Sequence, residues 1–77
     1  MTTLHLSVIN DGPTYEHRLL IARSPASDAD KLASYRAMCA VQAGYENHRM
    51  ETNHTNADID AAAREVAAYM ARHIAEF

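Results

Sequence analysis

Cysteine is nearly absent, and that scarcity sets the first limit. The 77-residue chain holds one, Cys39, so no internal disulfide can form. It has no CxxC pair and no Cys/His quartet, so a structural zinc site of the usual spacing is not expected. No apolar run approaches the ~18 residues that suggest a membrane span. The first residues, Met1-Thr2-Thr3-Leu4-His5-Leu6, lack the basic-then-apolar order of a secretory leader. A lone cysteine without a leader fits a reducing, cytoplasmic location. Positive charge is scarce too, with 7 Lys and Arg against 10 Asp and Glu for a net charge of −3. A nucleic-acid binder needs a basic face to neutralise phosphates, so direct nucleic-acid binding is not expected. The P-loop, GxGxxG, GxSxG and HExxH signatures are all missing. The chain is therefore expected to be no enzyme and to use no cofactor.

What is present points to one small domain. A chain of this length buries only about 60% of the surface its unfolded form exposes, so its stability is marginal. Small domains compensate with disulfides, metals or oligomerisation, and the first two have just been set aside. Histidine is plentiful, at 5 residues, and protonating all of them would carry the net charge from −3 to +2.

Residues 3–9 alternate, with Leu4, Leu6 and Val8 on one side and His5, Ser7 and Ile9 on the other. Period two predicts a strand. Asn10-Asp11-Gly12-Pro13-Thr14 is dense turn chemistry, and Tyr15 to Ala22 alternates again. A hairpin over 3–22 with a four-residue loop places Leu4 opposite Ile21 and Leu6 opposite Leu19. Ser24 with Pro25, or Ser27 with Asp28 and Asp30, opens a helix. Leu32, Tyr35, Cys39 and Ala43 form one stripe, and Met38, Val41 and Tyr45 a second on roughly the opposite side. Gly44 is a possible C-cap. A single helix over about 25–51 is preferred to a loop from Gly44 to Asn56, with Gly44 tolerated at ~1 kcal/mol. Asn56, or Thr55 with Asp58, caps a last helix over about 57–76, whose stripe is Ile59, Ala62, Ala63, Val66, Met70, Ile74 and Phe77. The expected fold is therefore α+β, an N-terminal antiparallel β-hairpin followed by two antiparallel helices (ββαα).

Candidate chemistry is thin. Cys39 lies on an apolar helix stripe and reads as a packing residue rather than a nucleophile. Glu46, His48, Glu51 and His54 set four possible metal ligands close together, but without a metal signature they read as a polar surface. His73, at the margin of the last stripe, is expected to hydrogen-bond backbone or a tyrosine. The second stripe, Met38, Val41 and Tyr45, has nothing in the chain to cover it and is expected to form a homodimer interface. Tyr45, Glu46, Arg49 and Glu51, with Asp11 on the hairpin loop, are the expected patch for a protein partner, since Tyr and Arg often anchor interfaces.

The strand-then-helices order is similar to that of ribbon-helix-helix repressors, which would imply DNA binding. However, the outward residues His5, Ser7 and Ile9 are not basic, and a hairpin replaces the single strand. As a whole-chain pattern (tiny, acidic, alanine-rich, hairpin plus helices, no active-site motif) the sequence resembles small phage and mobile-element inhibitors of the anti-CRISPR kind. That resemblance implies a protein that blocks a larger host nucleoprotein complex by occupying its surface. Acidic residues such as Asp11, Glu46 and Glu51 would then face basic grooves on the target.

Overall fold

The computed structural model describes residues 3–76. These fold into four α-helices: α1 (Leu4–Ile9), α2 (Tyr15–Arg23), α3 (Asp28–Arg49) and α4 (Asn56–Ala75). A single 3-10 turn over Gly12–Thr14 joins the first two. Among the described residues there is no strand, so the ββαα expectation is overturned, and with it the hairpin register and the ribbon of a ribbon-helix-helix repressor. Phe77, assigned above to the last stripe, lies outside the described residues.

The physical reason for the difference is readable in the residues. Leu4 and Val8 are four apart, a spacing that satisfies both period two and one face of a helix. Leu6 decides between them, and it is turned outward at 44% exposure while Leu4 and Val8 are buried. In the next segment Arg18 and Ala22, also four apart, point inward, and Leu20 is 70% exposed. Glu16, Arg18, Leu19 and Leu20 are good helix formers. Pro13 sits at the start of the 3-10 turn, where its fixed φ and missing N–H cost nothing.

The two long helices follow their end signals. Ser27 caps α3, its hydroxyl accepting from the Asp30 backbone N–H, with Asp28 and Asp30 in the first turn. Ser24 instead closes α2, its hydroxyl donating to the Ile21 carbonyl. Thr55 and Asp58 form a reciprocal capping box on α4, and the hydrogen bonds from Thr55 hold the Asp58 carboxyl below its usual range. Helix α3 runs through Gly44 without a break. Its end is made at Glu51, which has φ of 57°.

The chain therefore has glycine inside a helix and a glutamate in left-handed backbone. An added Cβ at Gly44 meets nothing within 4 Å. Gly44→Ala and Glu51→Gly are each expected to raise unfolding free energy by about 1 kcal/mol, the first through helix propensity and the second by relieving the left-handed residue. Urea denaturation followed by circular dichroism checks both, and a fall in stability for either would contradict the backbone assignment.

Helix α4 folds back across α3, and α1 and α2 pack against this pair. The core draws Leu4 and Val8 from α1, Ala22 from α2, Tyr35, Cys39 and Ala43 from α3, and Ala62, Ala63, Val66 and Met70 from α4. Alanine recurs in that set. Small side chains let the helices approach closely but remove little apolar area from water per residue, so this core stabilises the fold weakly.

Candidate functional site

Among the described residues two polar clusters lie inside the bundle, and an apolar surface lies on the outer side of α3. Burial and hydrogen bonding separate what can meet a partner from what holds the fold.

The first inner cluster centres on Glu46, which is 6% exposed. Its carboxylate accepts from Gln42 Nε2 at 2.8 Å and lies 2.7 Å from His54 Nε2. The Ser7 hydroxyl of α1 reaches the same carboxylate. Burial pushes the carboxyl up. The hydrogen bonds from Gln42, His54 and Ser7, together with the attraction of His54, outweigh that and hold it below the usual range. Asn47 completes the tie: its amide oxygen accepts from the His54 backbone N–H and the Thr52 hydroxyl, and its Nδ2 donates to the His54 carbonyl. The cluster thus fastens the α3–α4 connection to α3 and to α1. The expectation that Glu46 faces a partner is corrected, because its carboxylate points inward and is already taken.

The second inner cluster surrounds Arg18, which is 1% exposed. Its Nε donates to Thr14 Oγ1 and its Nη2 to the Asp11 carbonyl, each at 3.1 Å, while Nη1 lies 3.5 Å from Met70 Sδ. The guanidinium carbon sits 5.7 Å from the centre of the Tyr15 ring. The Tyr15 hydroxyl lies 2.8 Å from His73 Nε2, and Tyr69 stacks on the His73 ring. His73 is thus tied to a tyrosine, as its position at the stripe margin predicts. Cys39 is fully buried, and burial pushes its thiol up to about 11, which suits a packing residue and not a nucleophile.

No group of three or more metal-ligating side chains exists among the described residues. Of the four spaced ligands, only Glu46 and His54 meet, while His48 and Glu51 are exposed. Arg36 and Asp60 form a half-exposed ion pair between α3 and α4, a contact worth little on its own.

The outer surface differs in kind. On α3, Val41 is 75% exposed and Tyr45 58%, with Met38 half-buried beside them. An open apolar cavity of about 420 Å³ runs along this face, lined by Thr14 of the 3-10 turn, His17 of α2 and Ser34, Ala37, Met38 and Val41 of α3. Leu20, three residues beyond His17 on α2, is also strongly exposed. The helix buries Tyr35, Cys39 and Ala43 on one side and presents this second stripe to water on the other. Tyr45, Arg49 and Glu51 are exposed toward the C-terminal end of α3, whereas Asp11 is half-buried between α1 and the 3-10 turn, where its carbonyl serves Arg18. Sequence reasoning missed the burial of Glu46 and of Arg18, and of the inner contacts foresaw that of His73 with a tyrosine. Glu46 did carry a signal, since it stands three residues after Ala43 on the buried stripe.

Comparison with protein-family models, with curated proteins and with solved structures found no match for this chain. No helix among the described residues is long and apolar enough to cross a membrane.

Proposed function

We propose that this protein is a non-enzymatic protein–protein interaction module, and that it docks through the outer face of α3. The observation that carries the reading is the exposure of Val41 and Tyr45 on a helix whose opposite side is already committed to the core. A domain with so small a core gains little by leaving these residues in water, and a partner that covers them returns that apolar area. The titratable groups with shifted ionisation support the same reading. Glu46 is locked in a structural cluster, Cys39 is sealed, and neither opens onto the α3 cavity. The single cysteine suits a reducing compartment, which supports a cytoplasmic location as part of the proposal. A narrower form of the proposal rests on what the anti-CRISPR resemblance keeps once the hairpin is gone, a tiny, acidic, alanine-rich chain without an active-site motif: the module blocks a host nucleoprotein complex.

The test uses the whole protein as an affinity bait beside Val41→Asp. Val41 contacts solvent, so the variant should keep the helical circular dichroism of wild type. Proteins retained by wild type and lost by Val41→Asp are the expected result. An identical set from both baits would remove α3 as the docking face.

A further inference from the structure

We propose that the outer face of α3 receives a second copy of this chain, with the two α3 helices packed antiparallel about a twofold axis level with residues 39 and 40. The proposal rests on the interaction-module reading and names its partner. What carries it is the order of side chains along the face. Asp30, Ser34, Ala37, Val41, Tyr45 and His48 recur at spacings of three and four, so they share one side of the helix. Met38 and Arg49 border that stripe, and of this set only Met38 is half-buried rather than exposed. The acid stands at the N-terminal end and the base at the C-terminal end, with no charged side chain on the stripe between them. Lys31, at the edge, gives its ammonium to the Ala22 carbonyl at 2.9 Å.

Such a face is complementary to its own reverse. Laid antiparallel on itself, it sets Asp30 of each copy against His48 and Arg49 of the other. Val41 then falls over the partner's Ala37, beside the partner's Met38, and Tyr45 falls over the partner's Ser34. Bulky side chains meet small ones, as ridge-into-groove packing requires. The charged ends lie about 28 Å apart along each helix, far enough that each pair acts separately. Parallel packing would stack acid on acid and base on base. The antiparallel arrangement also aligns the helix dipoles favourably. Surface ion pairs contribute little affinity, so these pairs fix register and orientation while Met38, Val41 and Tyr45 supply the attraction. A twofold interface repeats every contact, which doubles the effect of each substitution.

The experiment is a charge swap read by sedimentation equilibrium at low salt, on wild type, Asp30→Arg, Arg49→Asp and the double variant. All these side chains are exposed, and circular dichroism verifies that each variant keeps its helices. Each single change should raise the dimer dissociation constant about tenfold, because two symmetric pairs turn from attraction to repulsion. The double variant should recover wild-type association, since the complementary order is restored in reverse. A wild-type dimer that the double variant fails to restore would overturn the antiparallel register. A wild-type protein that stays a single chain at every concentration would overturn the second copy as partner. In that case loss of bound protein by the Val41→Asp bait would still uphold the interaction-module reading, and retention would remove both.

Discussion

Arg18→Ala is expected to lower unfolding free energy by about 3 kcal/mol. Arg18 heads the fully buried side chains by volume, so truncation opens a cavity where α2 meets α4. It also takes away the donor to Thr14 Oγ1 and one of the donors to the Asp11 carbonyl, which keeps those from the Thr14 N–H and hydroxyl. The guanidinium has no carboxylate partner among the described ion pairs, so its burial is offset by those hydrogen bonds, the Met70 sulfur and the Tyr15 ring alone. Arg18→Met should therefore behave differently from Arg18→Ala. It keeps most of the volume and removes a charge that is costly to desolvate, and it should stay within about 1.5 kcal/mol of wild type. Urea unfolding of the two variants side by side checks this. A change of under about 0.5 kcal/mol for Arg18→Ala, the size of an ordinary surface effect, would mean that the residue is not inside.

Glu46→Ala carries the second large effect, about 2 kcal/mol at neutral pH, because it leaves the half-buried donors of Gln42, His54 and Ser7 without this acceptor. This loss has a pH signature. The folded carboxyl lies below its ordinary value of 4.5, so its ionisation contributes stability that is fully present above that value. The contribution fades as pH falls through the lowered folded value. Glu46→Gln keeps the shape and lacks the charge. The gap between wild type and Glu46→Gln should therefore be widest at neutral pH and close in acid below 4.5. Thermal unfolding across that range measures it, and a gap that widened on acidification would contradict the sign.

The parts legible in the sequence were the long, well-ended ones. Helix α4 follows directly from its stripe and from Thr55 and Asp58, which form the capping box that the residue types predict. Helix α3 starts at Ser27 and passes through Gly44, the preferred reading of that ambiguity. The N-terminal third was not legible for a physical reason. Runs of six to nine residues cannot separate period two from period 3.6 when the apolar positions are four apart. Only burial distinguishes Leu4 and Val8 from Leu6, and tertiary packing against α3 and α4 supplies it.

The site divides along the same line. Val41 and Tyr45 are visible as a second stripe because helical spacing places them opposite Tyr35 and Cys39. Glu46 and Arg18 escaped because charged residues are almost never fully buried unless paired, and their partners come from elements distant in sequence: Ser7 and His54 for one, Asp11 and Met70 for the other. Asp11 and Glu46, grouped with Tyr45 by charge and exposure alone, turn out to serve the interior through a carbonyl and a carboxylate respectively.

Molar mass across a wide concentration range, measured for wild type beside Val41→Asp, probes the uncovered face of α3 most directly. Wild type should climb toward twice the single-chain mass as concentration rises, while the aspartate variant, with a charge set in the middle of the stripe, stays at one. A wild-type mass that never departs from that of one chain would show that the molecule is content to leave Val41 and Tyr45 in water beside its own kind.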